Sequence, residues 1–126
     1  MTGMKKVLYT FWSQFGIPAY LQDCVPDDAQ PDYITYSVTQ PGLGGFAVLT
    51  AFNWHRKSES GNKARTEMMD KIATAMPVGG LLLALPEGGY LMIYRNDADY
   101  QSDWQDDTDT DIIAGRTSYI VYYYNT

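Results

Sequence analysis

The sequence predicts an α+β fold: one domain with a mainly antiparallel sheet of about five strands and two helices packed on one of its faces. Three observations lead there. Two stretches carry apolar residues at helical spacing, several others alternate with the period of a strand, and Pro- or Gly-rich segments punctuate them. At 126 residues the chain has the length of one domain and one core. Hydrophobic residues make up 45% of it and aromatic residues 14%, ample apolar surface to offset the entropy of ordering.

The first helix is read from Met4, Val7, Leu8, Phe11, Trp12 and Phe15, one helical face across three turns. Its stop is encoded twice, because Gly16 supplies a left-handed ending and Pro18 biases Ile17 away from helix. In VPDDAQPDYITYSV, residues 25–38, two prolines and the aspartates between them keep the chain extended or bent. A strand follows from Tyr33, with Ile34, Tyr36 and Val38 on the inward face.

A second strand spans residues 46–55, with Phe46, Val48, Phe52 and Trp54 sharing a face. The connecting TQPGLGG makes a hairpin loop with an exposed tip. SESGNK offers N-cap candidates for a second helix lined by Ala64, Met68, Ile72, Ala75 and Met76 and stopped at Pro77. GLLLALPEGGYLMIYR reads as two central strands around a tight turn. NDADYQSDWQDDTDTD, with seven aspartates, reads as a long acidic loop, and residues 117–124, TSYIVYYY, form the last strand. The expected order is α-β-β-α-β-β-β, with no repeat, linker or second domain.

The formal charge is −6 and the sequence pI about 4.4. That balance argues against nucleic-acid binding, which depends on Lys and Arg replacing counterions. No apolar stretch approaches the roughly 20 residues of a membrane helix, and MTGMKKVLYTFW lacks a cleavage site, so neither a membrane nor a secretory address is expected. Cys24 is the only cysteine, which excludes an internal disulfide and fits a reducing cytosol.

The candidates for chemistry each meet a simpler reading. Asp107, Asp109 and Asp111 open like a calcium loop, but Ile112 stands where that loop needs Gly and Ser118 where it needs Glu. The acidic set Asp97, Asp99, Asp103, Asp106, Asp107, Asp109 and Asp111 is therefore a solvated loop, and no metal or other cofactor is expected. His55, the sole histidine, reads as a surface residue at a strand end without a catalytic partner. Cys24 reads as a buried, inert small residue. The glycines of GLGG lack the following helix and lysine of a phosphate loop, and Trp12 and Phe15 read as core. No G-x-S-x-G or H-E-x-x-H is present, so no enzyme and no catalytic residue is expected.

The terminal strand stands out, since Tyr119, Tyr122, Tyr123 and Tyr124 place amphipathic rings on both sheet faces, a composition favoured at protein interfaces. Candidate assembly contacts are Gln40 and Leu43 in the hairpin loop of residues 39–45, Tyr100 and Trp104 in the acidic loop of residues 97–111, and Tyr119, Tyr122 and Tyr124.

FWSQFGIPAYLQDCVPDDAQPDYITYSV, residues 11–38, resembles the opening of small tail terminator or tail-completion proteins of long-tailed phages and prophages. There an aromatic helix runs into FG-x-PAY, V-P-D-x-A and a P-Y-I-T-Y strand. NWHRKS, NKARTEMMDKIATAM and a final R-x-x-Y-I strand are similar too, and Asp32, inserted between Pro31 and Tyr33, is a small departure. The resemblance implies an α+β subunit of a hexameric ring that caps the tail tube, binding copies of itself, the tail tube protein and a head-tail connector protein while DNA passes without specific contact. It implies assembly in the bacterial cytoplasm and residence in the virion tail or neck. The rival expectations are a head-tail connector or stopper of the same gene cluster, a ligand-binding domain that uses the acidic loop, and a regulatory module outside the virion.

Overall fold

A computed structural model describes residues 2–39, 46–86, 88–96, 100–105 and 111–124, with residues 2, 3, 104 and 105 as backbone only. Helix α1 spans Thr2–Trp12. A single 3-10 turn at Ser13–Phe15 extends it to Gly16, whose φ of 85° is the left-handed stop the sequence encodes. There follow β1 (Ala19–Leu21), β2 (Tyr33–Thr39), β3 (Phe46–Arg56), α2 (Glu59–Ala75), β4 (Leu81–Ala84), β5 (Tyr90–Arg95), β6 (Gln101–Gln105) and β7 (Ile112–Tyr124).

The sheet is curled and has seven strands, not five, in the order β1-β2-β3-β7-β5-β4, with β6 also paired to β7. It is mixed, because β1 runs parallel to β2 while every other pair is antiparallel. Two strands were absent from the sequence expectation. β1 is the PAY stretch, held to β2 by the Ile34 amide donating to the Pro18 carbonyl at 2.8 Å. β6 lies inside the segment expected to be all loop, and it forms because β7 begins at Ile112, five residues earlier than its tyrosine-rich part suggests, and offers a free edge.

Alternation puts Ala47, Leu49, Ala51, Asn53 and His55 of β3 on one face, beside Ile34 and Tyr36 of β2, Tyr119 and Val121 of β7, and Leu91 and Ile93 of β5. Both helices bury their stripes here: Leu8, Phe11 and Trp12 from α1, Met68 and Ile72 from α2, and Met76 just after it join these strands in one core. Trp12, 0% exposed, is the centre of an aromatic cluster, 5.0 Å from Phe11, 6.0 Å from Phe15, 6.3 Å from Tyr36 and 6.1 Å from Tyr119 between ring centroids. Such pairs add to the stabilisation that area burial gives.

Helix α2 starts where the Ser58 hydroxyl accepts from the Gly61 amide at 2.9 Å, the N-cap expected of SESGNK. Gly61 is buried, and a Cβ placed there would lie 1.8 Å from the Arg56 carbonyl oxygen. The helix start and the end of β3 are thus pressed together with no room for a methyl group. Gly61→Ala is expected to cost about 2 kcal/mol or more by overpacking, whereas Gly79→Ala, with nothing within 4 Å, should stay within about 0.5 kcal/mol of the parent. Urea denaturation of the two variants checks the contrast.

Candidate functional site

The face of the sheet opposite the helices is aromatic. Phe46, Val48, Phe52 and Trp54 of β3 do share a side, as their spacing predicts, but that side points away from α1 and α2, and all four are half-buried. Around them the rings form two groups. Tyr20 lies 5.9 Å from Tyr33, Tyr33 6.5 Å from Trp54 and Trp54 5.3 Å from Phe52. On the other side, Phe46 lies 6.3 Å from Tyr122, Tyr122 5.9 Å from Tyr94, and Tyr90 5.1 Å from Tyr124. The Trp54 indole donates to the Thr35 hydroxyl at 2.8 Å, so one buried polar group of this face is satisfied within it. The rings contact strand neighbours sideways and leave their outer surfaces toward solvent, with Tyr124 44% exposed.

The sequence-derived interface candidates divide accordingly. Tyr122 and Tyr124 belong to this face. Tyr119 does not: it is wholly buried on the helix side, a core residue of this chain. Burial, above all, pushes its phenol well above the usual tyrosine range, with the Arg95 charge opposing. Tyr100 is half-buried beside it, ring centroids 5.5 Å apart, and its carbonyl accepts from the Ser118 amide at 2.8 Å. Asp103 is an exposed residue of β6, 3.7 Å from the Arg65 Nε. Asp111 is exposed in the turn before β7, where its carbonyl accepts from the Lys57 amide at 2.7 Å. Gln40, Leu43, the Trp104 side chain, Asp97, Asp99, Asp106, Asp107 and Asp109 lie outside the described residues. Among the described residues no three potential metal ligands come together, and no helix is long and apolar enough to cross a membrane.

Two sequence readings are corrected. Cys24 is exposed, at the end of a 3-10 turn over Gln22–Cys24, because that turn carries it off the sheet edge. His55 is 1% exposed rather than on the surface, because it occupies the helix-facing phase of β3. Its Nε2 lies 2.7 Å from the Asn53 Oδ1, and its Nδ1 3.1 Å from the Asp32 Oδ1. Asn53 in turn donates to the Gly115 carbonyl at 3.1 Å. That bond turns the amide nitrogen toward Gly115, so the amide oxygen accepts from His55 Nε2–H. A carboxylate behind an imidazole is the arrangement of a general base, but the position where a nucleophile would stand is filled by a buried amide. The cluster is a polar staple between β3, β7 and the segment before β2.

The sequence reading also passed over Arg95. Its ring-bound neighbours and its role at the end of α2 come from the tertiary fold, and only the flanking tyrosines of the stretch YLMIYRN hint at an aromatic setting. A cleft of about 790 Å³ opens here, lined by Val78, Tyr94, Arg95, Asn96, Tyr100, Ile120 and Tyr122. It sits where β5 ends alongside β7 and β6 begins.

Compared with protein families, curated proteins and solved structures, the chain matches none.

Burial holds the His55 imidazole below its ordinary pKa, with Asp32 opposing and Arg65 adding to the depression. The unfolded chain therefore takes up a proton near the ordinary value of 6.5 at a pH where the folded one does not. The contribution to stability is complete above that value and is lost as the pH falls toward the folded pKa. Urea midpoints are expected to drop between about pH 8 and about pH 5.5, and His55→Gln should flatten that part of the profile.

Proposed function

We propose that the protein is a structural subunit of a long-tailed phage or prophage particle, a tail terminator that forms a ring with copies of itself, caps the tail tube and meets a head-tail connector protein. The resemblance over residues 11–38 supports the reading, and the observation that carries it is the aromatic sheet face. β3 and β7 pair over eleven residues. At about 3.3 Å per residue and about 4.8 Å between strands, these two with β2 and β5 present on the order of 500 Å². A standard interface takes about 800 Å² from each partner, so the face supplies most of one.

Two further features support an assembly role. Among the described strands β1 and β4 end the sheet, and the two edges differ, as the unlike patches of a ring interface must. A net charge of −6 repels phosphates, so DNA moves past such a subunit without adhering.

The test is light scattering on a sizing column across protein and magnesium concentrations, followed by negative-stain imaging. Closed rings of about six subunits are expected. Phe46→Glu and Tyr124→Glu should abolish them while leaving the melting temperature within about 4 °C of the parent. A chain that stays monomeric both alone and with purified tail tubes would sink the proposal.

A further inference from the structure

Arg95 ends β5 and turns its guanidinium back over the C-terminus of α2. Nε donates to the Met76 carbonyl at 3.0 Å and Nη2 to the Ala73 carbonyl at 2.9 Å, and the charge lies 4.6 Å from the centre of the Tyr100 ring. These contacts lock the side chain and favour its positive charge, through the helix terminus and the ring face. They use two of the five N–H donors of a guanidinium. Among the described residues no carboxylate lies within ion-pair distance of Arg95, in a chain with 15 acidic and 9 basic residues. Part-buried and fixed, with no ion-pair partner among the described residues, this group lines the cleft at the sheet fork.

The rest of the lining narrows the chemistry of what would enter. Ile120 and the rings of Tyr94, Tyr100 and Tyr122 give apolar walls, Val78 stands on the rim at 78% exposure, and Asn96 is the other polar residue. Lone guanidiniums match carboxylates in a two-point fork, whereas a phosphate usually gathers several cations. The walls call for an apolar or aromatic body attached to that carboxylate. The cleft volume lies in the range of sites that hold a few side chains.

We propose that this cleft is a receptor site for a protein partner, taking an Asp or Glu side chain next to an aromatic or aliphatic residue, with Arg95 reading the carboxylate and Tyr94 and Tyr122 holding the neighbour. The site differs from the broad aromatic face in being directional, and it stands whether or not the chain belongs to a phage tail. A free aromatic carboxylate shares the same chemistry, so the test separates the two sources.

The experiment is a calorimetric titration of the whole protein with three probes: acetyl-Leu-Asp-Tyr-Leu-amide, the same peptide with Asn for Asp, and benzoate. The acidic peptide should bind saturably and at least about tenfold more tightly than either other probe, a difference of about 1.4 kcal/mol. Arg95→Met should remove that preference. Because Arg95 also anchors α2, a second variant is needed, and Tyr122→Ala, which leaves the anchor intact, should weaken the acidic peptide about fivefold or more with an unchanged melting temperature. Equal binding of the acidic and neutral peptides, benzoate as tight as the peptide, or no binding of any probe overturns the proposal.

Discussion

Eleven consecutive residue pairs join β3 to β7, and the position of every other element follows from that ladder. On its helix side small residues sit among large ones: Ala51 opposite Thr117, Leu49 opposite Tyr119, Ala47 opposite Val121. The small ones make the hollow into which Trp12 and the α2 stripe descend. Gly115 shows how tight the fit is, since a Cβ there would come within 2.6 Å of the Met69 sulfur and 2.9 Å of the Asn53 amide nitrogen. Interiors packed to this density respond to single methyl groups, so the ladder fixes the helices in depth as well as in direction. β7 is also longer than either strand on its far side. Two short strands, β6 and β5, share that edge in succession, and the cleft beside Arg95 opens at their junction.

What the sequence disclosed depended on whether local pattern and tertiary environment agreed. They agree in α1, where Met4, Val7, Leu8, Phe11 and Trp12 meet the core in the phase their spacing predicts, and in the left-handed Gly16 after it. They agree again at the Ser58 cap. In β3 the pattern misleads, because its bulkiest residues face away from the helices while Ala47, Ala51, Asn53 and His55 face them. Burial there selects for small volume and for polar groups that satisfy one another, properties a hydropathy reading discards. His55 looked like surface for this reason; its partner Asn53 stands two residues away on the same face of β3, but Asp32 comes from the segment before β2, whose approach no spacing encodes. β6 was illegible for a different reason: QSDWQ has no strand pattern of its own, and it is a strand because β7 offers it hydrogen bonds. The aromatic face was visible as composition, in Tyr122 and Tyr124, but its extent across β1, β2, β3, β5 and β7 required the register.

Such a face stays tolerable in water because of the residues chosen for it. Tyrosine joins a broad apolar ring to a polar hydroxyl, and its rings pack here in two ways: Tyr20–Tyr33 and Tyr94–Tyr122 meet edge to face, whereas Tyr90–Tyr124 stack. Half-buried rings lose less on separation from a partner than Leu or Ile would, and they gain area without ordering long flexible side chains. A surface of this kind supports reversible association but gives little sense of direction, since ring packing is broad in angle. In the proposed receptor cleft, which shares Tyr94 and Tyr122 with this face, the guanidinium of Arg95 on the helix side of β5 supplies the missing asymmetry. Placed in a chain of net charge −6, it would draw a carboxylate to one place, so that in this proposal a partner which buries the rings is oriented by where its own acid must lie.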